Sequence, residues 1–257
     1  MLNLKKFAAT VLLLLVAIES FVERAKAQDQ VDFVIMEQMP YGAIDQNNQI
    51  EGYLAEIAQL LLENAGFRNE VRIIPLKRLI VEGKAREFDC TIVANTPLAK
   101  SFLQMIAPTG LTLTAGILPR QGVAIARYED LKGKKIGAPL GVSTSRKFDQ
   151  DTALTKVPTA DYTGGVRMLG RGRIDAIYGS FQSLAYAAIL LGYDPAKLFG
   201  EGLPFTILEL QLACVPDKIE NSTVEKLEQA LQELVETGVI TEIGSRYNVS
   251  AEPNTSN

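Results

Sequence analysis

The sequence predicts an α/β protein built as two lobes, and three observations carry that prediction. Strand and helix signals alternate as strand, helix, strand, helix, strand over residues 31–93. The alternation stops and then restarts at residue 122. Glycines stand at the ends of several helical stretches, where a left-handed C-cap favours them. Alternating strands and helices imply parallel sheets covered by helices. Two such units in one chain imply a cleft between them, the usual ligand site between α/β domains.

The elements follow in order. Residues 31–36 (VDFVIM) read as a short buried strand, broken by Pro40, Tyr41 and Gly42, and residues 45–48 form a turn. Residues 53–64 place Leu54, Ile57, Leu60 and Leu61 on one helical face, with Ala65 and Gly66 closing the helix. Residues 71–74 are a second strand, 76–82 a helix ended by Gly83, and 90–93 a third strand. In the second unit, residues 122–125 predict a strand and 128–133 a helical turn. Residues 135–138 form a strand running into a Gly141-Val142-Ser143-Thr144-Ser145 loop that opens a helix. Residues 166–169 are helical, 174–178 a strand, and 180–191 a helix with Gly192 past its end. A last strand lies near 207–215. The closing amphipathic helix spans 222–237, with Ser222 as N-cap and Glu225 completing a capping box.

Composition narrows the function. Lys5 and Lys6 precede an apolar run over residues 7–18, and the stretch ends Ala25-Lys26-Ala27, which together predict a signal peptide over residues 1–27. The run is too short to span a bilayer comfortably, and no second long apolar run follows. The chain carries a net charge of −4; residues 1–27 hold four basic and two acidic side chains, so their removal leaves −6. An acidic domain lacks the basic footprint that nucleic acid or anionic lipid requires. There is no histidine, which removes the commonest general base and zinc ligand. Two cysteines, Cys90 and Cys214, are too few for a thiolate metal site. No cofactor or metal is expected, and the tail over residues 250–257 is expected to be disordered.

Several stretches resemble a known family when taken in order. They are Met39-Pro40-Tyr41-Gly42 after the first strand, Glu51-Gly52-Tyr53-Leu54-Ala55-Glu56-Ile57 at the entry to the first helix, and FDCTIVANT over residues 88–96. Further on come LKGKKIG over 131–137, Gly141-Val142-Ser143-Thr144, GRIDAI over 172–177, and the closing helical segment over 224–247. Each is weak alone; their order and spacing resemble the extracytoplasmic solute-binding proteins of family 3, the substrate-binding proteins of ABC transporters. The resemblance implies a two-lobed periplasmic-binding-protein-like fold, each lobe a mainly parallel sheet flanked by helices, with two crossover strands as hinge. It places lobe one at 28–117 plus 205–257 and lobe two at 118–204. It implies a periplasmic, monomeric protein that captures a small polar or anionic ligand, an amino acid or organic acid among them, and delivers it to a membrane permease. A sensory protein for a membrane signalling partner is the alternative. A prephenate-type dehydratase is a third reading, for which Glu56 and Lys100 are the nearby candidates.

The resemblance also nominates ligand-binding residues. Tyr41 would stack its ring on the ligand, and Ala94, Asn95 and Thr96 would meet it at the end of the third strand. Gly141, Val142, Ser143 and Thr144 open a helix, where free N–H groups favour an anion. Two departures stand out. Amino-acid-binding members carry an arginine soon after the threonine; here Lys100 lies near that place, a point charge rather than a fork. They also carry an aspartate where Gly179 and Ser180 stand here. Arg78 is a further candidate cation. In the implied fold the strands bearing Cys90 and Cys214 are antiparallel neighbours, with free thiols expected because cross-strand geometry rarely suits a disulfide.

Overall fold

The computed structural model describes residues 30–140, 142 and 145–247. The predicted signal peptide, the predicted disordered tail and three of the nominated residues (Gly141, Ser143 and Thr144) lie outside the described residues. The chain runs β1 (Phe33–Met36), β2 (Ala43–Ile44), β3 (Ile50–Glu51), α1 (Tyr53–Asn64), β4 (Arg72–Ile74), α2 (Leu76–Ala85), β5 (Cys90–Ala94), α3 (Pro97–Lys100) and β6 (Gln104–Pro119). After a 3₁₀ turn at Tyr128–Leu131 come β7 (Lys135–Pro139), α4 (Arg146–Gln150), β8 (Thr155–Thr159), α5 (Tyr162–Gly170), β9 (Ala176–Ser180), α6 (Phe181–Leu190) and α7 (Pro195–Leu198). The order closes with β10 (Leu203–Cys214), α8 (Asn221–Glu236) and α9 (Val239–Arg246).

Eight strands form one sheet in the order β4-β1-β5-β10-β6-β9-β7-β8. Its flanks are parallel: β1 with β4 and β5, and β7 with β8 and β9. The two long strands between them, β6 and β10, pair antiparallel from Leu203↔Ile117 to Cys214↔Gln104. The final residues of β10 pair with β5, and the final residues of β6 pair with β9. The chain therefore crosses between the halves along one continuous two-stranded ladder.

Period-two alternation sorts the core. In the second half, Leu118 and Ile177 point into one apolar cluster with Val166, Leu169 and Leu184 from α5 and α6. Ile117, Ala176 and Tyr178, one residue out of phase, point into another with Leu131, Ile136 and Phe148. The first half has a single larger cluster, built on β1, β5 and the end of β10 and covered by α1, α8 and α9. β1 and β5 are buried along their length, as strands of a parallel sheet with both faces covered should be.

Helix α1 has the predicted bounds, buries Leu54, Ile57 and Leu61, and is closed by Gly66 at φ +87°. Four expectations need correction. Gly83 does not end α2: the helix passes through it to Ala85, and Arg86 takes the left-handed cap at φ 62°. Gly83 serves close approach instead, since a Cβ there would lie 2.5 Å from the Phe102 ring. Residues 122–125 are not a strand; the strand lies earlier, as β6, and Ile125 is buried without joining the ladder. There is no capping box at Ser222: α8 starts one residue earlier, its N-cap Glu220 makes no side-chain cap bond, and Ser222 Oγ bonds Glu220 Oε2 at 3.4 Å. Cys90 and Cys214 are not free thiols. The β5–β10 register sets them directly opposite with Cα atoms 4.0 Å apart, and they form a disulfide.

Candidate ligand-binding cleft

Tyr41 follows β1 on a loop that folds back over the start of α1: its carbonyl accepts from the Leu54 N–H at 3.0 Å. That loop carries the side chain across to the second half. There the Tyr41 hydroxyl meets Ser180 Oγ at 2.6 Å, with both residues buried. Ser180 ends β9 and caps α6, its Oγ accepting from the Ser183 N–H at 3.3 Å. Its own N–H donates to the Tyr162 hydroxyl at 3.2 Å. Tyr162 can lie there because Gly179, at φ +155°, has no side chain; a Cβ would sit 2.2 Å from the Tyr162 ring. Gly179 thus makes room for an aromatic wall, and Ser180 is the hub of the wall's hydrogen bonds.

Tyr41, Tyr162 and Ser180 line a cavity of about 320 Å³, completed by Met36, Glu37, Gln38, Leu76, Leu113, Leu140, Val142 and Ser183, whereas the nominated Gly179 stands behind Tyr162 and lines neither this cavity nor its neighbour. Burial pushes the Tyr41 phenol far above its ordinary range, only partly offset by its bond to Ser180. Burial raises Tyr162 as well, against the opposing pull of the Ser180 N–H. Both tyrosines therefore stay neutral at ordinary pH and can donate or accept. Ser183 Oγ is near enough to the Tyr41 phenol to favour its ionised form slightly, yet it is buried and makes no well-formed hydrogen bond. A second, apolar cavity of about 230 Å³ adjoins the first and shares Met36, Leu76 and Leu113 with it. Its other walls include Leu79, Ile80, Val93, Phe102 and Leu208.

The nominated residues divide accordingly. Tyr41, Val142 and Ser180 line the first cavity, and Ala94 and Thr96 the second. The Thr96 hydroxyl is engaged as the N-cap of α3, accepting from the Ala99 N–H at 3.1 Å. Asn95 lines neither; its N–H donates to Glu209 O at 2.9 Å, and its Oδ1 is buried without a partner. Arg78 lines neither cavity: its side chain is 63% exposed and pairs with Glu82. Glu82 also receives Arg72, which in turn reaches Asp32 at 2.7 Å. Burial alone would raise the Glu82 carboxyl, but the two guanidiniums outweigh it and hold it below the usual range. Lys100 is exposed at the end of α3, outside both cavities, and Glu56 pairs with Arg246 on the surface.

Sequence reasoning missed Glu37, Tyr162, Ser183 and Leu113. The Gly179–Tyr162 contact was the one signal available for Tyr162, and it joins residues of different elements. Leu113 sits on β6, the strand left unassigned.

The model of the bacterial extracellular solute-binding proteins, family 3, matches residues 33–250. The chain belongs to this family. The "Probable amino-acid-binding protein YxeM" of Bacillus subtilis is 21% identical over 257 residues, 96% of each chain. A mutant of ArgBP from T. maritima superposes with a TM-score of 0.67 at 17% identity, over 88% of this chain and 98% of that one. A histidine kinase sensor domain with similarity to periplasmic binding proteins gives 0.67 at 18%, over 88% and 100%. At such identities the structural likeness establishes the fold, and it is the two-lobed one: parallel flanks joined by β6 and β10. Among the described residues no helix is long and apolar enough to cross a membrane.

Proposed function

We propose that this solute-binding protein works in the periplasm, holding a small polar ligand in the cleft between its lobes and handing it to an ABC-type permease without altering it. The lobes would comprise residues 28–117 with 205–257, and residues 118–204, with β6 and β10 as the hinge. One observation carries this reading. The Tyr41–Ser180 bond joins residues 139 positions apart, from opposite halves of the sheet, across a cavity of small-molecule size, roughly 300 Å³ or more. A ligand entering there touches both lobes and couples its binding to closure. The two residues weighed for the enzyme reading, Glu56 and Lys100, both stand outside the cleft.

A screen of the purified protein against amino acids, organic acids, amines and sugars tests this. A ligand at a hundred times its Kd should stabilise by about 2.7 kcal/mol and raise the melting temperature. Recovery of that ligand unchanged supports binding without turnover, and chemical conversion would sink it. The sensor reading is favoured by the kinase sensor domain among the similar structures. Uptake of labelled ligand by cells separates the two: deletion of the protein abolishes uptake on the transport reading and leaves it intact on the sensory one.

A further inference from the structure

Among the described residues lining the two cavities, one side chain carries a charge, the carboxylate of Glu37. The two cations nominated from the sequence stand elsewhere: Arg78 is paired with Glu82, and Lys100 lies in solvent outside both cavities. A ligand carboxylate placed here would meet no described cation and would face Glu37, while an unpaired charge taken out of water is strongly unfavourable. An ammonium or guanidinium meets the opposite situation. Glu37 supplies the counter-charge, and Tyr41 and Tyr162 are aromatic rings of the kind that attract cations. The Ser183 side chain lies in the wall of the same cavity, beside the Tyr41 phenol. The adjoining cavity, reached past Met36, Leu76 and Leu113, is lined almost wholly by apolar side chains and suits a hydrocarbon segment.

We propose that the ligand is an organic cation without a carboxylate, its charged end at Glu37 between the tyrosines and an apolar segment reaching past Leu76 into the second cavity. This deepens the solute-binding reading above and rests on it.

Two matched sets test the class by calorimetry on the intact protein. One is phenethylamine, phenylalanine and 3-phenylpropionate; the other is agmatine and arginine. The expected result is that the amines bind at least about tenfold more tightly than the amino acids, as a single unpaired charge dictates, and that 3-phenylpropionate does not bind. Glu37→Gln, an exposed position that leaves the ligand-free melting temperature unchanged, should weaken amine binding by about tenfold or more. Leu76→Gln, also at an exposed position, should weaken phenethylamine more than methylamine. Tighter binding of arginine, phenylalanine or 3-phenylpropionate than of the amines overturns the proposal while leaving the solute-binding reading in place. So does amine binding that ignores Glu37→Gln. Absence of binding by every amine also overturns it, and the broad screen then judges the solute-binding reading separately.

Discussion

The two halves of the sheet are stabilised differently. The half built on β4, β1 and β5 has one continuous apolar cluster, roofed by α1, α8 and α9, and a disulfide across β5 and β10. The half built on β9, β7 and β8 has two smaller clusters on opposite faces, and no cysteine lies among its residues. The first half is a frame closed by a covalent link. The second has no covalent link, and its apolar packing falls in two separate patches. On the reading proposed above, closure moves the second half as the lighter member against the first.

The comparison can be broken first at Phe148. It is buried, with its ring 4.2 Å from Tyr178 and 5.9 Å from Phe205. Phe148→Ala should cost about 3–5 kcal/mol in urea unfolding, with hydrogen-exchange protection lost first in the second half. Equal loss across both halves would show that they unfold as one unit. The next largest effect lies in the frame. Replacing Cys90 and Cys214 together by alanine should cost about 2–4 kcal/mol, and reductant should lower the melting temperature of the unmodified protein similarly. An unchanged melting temperature would remove the disulfide from the contrast.

Between the halves, Tyr41→Phe deletes the hydroxyl that reaches Ser180, whose Oγ keeps its bonds to the Ser183 N–H and to Gln182 Oε1. The expected cost is about 1 kcal/mol, with a larger radius of gyration by solution scattering in the absence of ligand. A radius that does not change would mean that this bond does not hold the cleft closed. Thr96→Ala should cost about 1 kcal/mol or less, through loss of the α3 cap, with ligand affinity changed little, since Oγ already accepts the Ala99 N–H and lines a largely apolar cavity. A large drop in affinity would show that the Thr96 proton bonds the ligand.

The mildest test is acid. The Glu82 carboxyl is held below its ordinary range in the folded state. Its contribution is therefore present above the unfolded-state carboxylate pKa and is lost as pH falls through the lowered folded value. Glu82→Gln should flatten that acidic limb of the stability curve, measured by thermal melts across pH. A limb as steep in the variant would assign it to other carboxylates.

Much of this fold was legible because local signals and tertiary demands agree. Helix α1 is periodic, capped by Gly66 and buried on the side its leucines mark. β6 was illegible for the opposite reason. It contains Pro108, Gly110 and Gly116, and its burial pattern follows no simple alternation because it passes from one half to the other. β8 is an edge strand carrying Pro158, which depresses any strand signal. In the cleft, Tyr41 and Ser180 could be named from the order of motifs, whereas their hydrogen bond could not, since it depends on how the two halves meet. Arg78 misled because a basic residue near a cleft gives no sign in sequence of a partner four residues away, although Glu82 was there to be weighed.

The path of the chain has a practical corollary. β1, near the start of the described residues, and Tyr247, at their end, both pack on the larger core. The second half is thus one long excursion out along β6 and back along β10. A fluorophore attached near Tyr247 and another at the exposed turn around Gly192 would ride on different halves, so a change in their separation would turn ligand capture into an optical signal without touching the cleft.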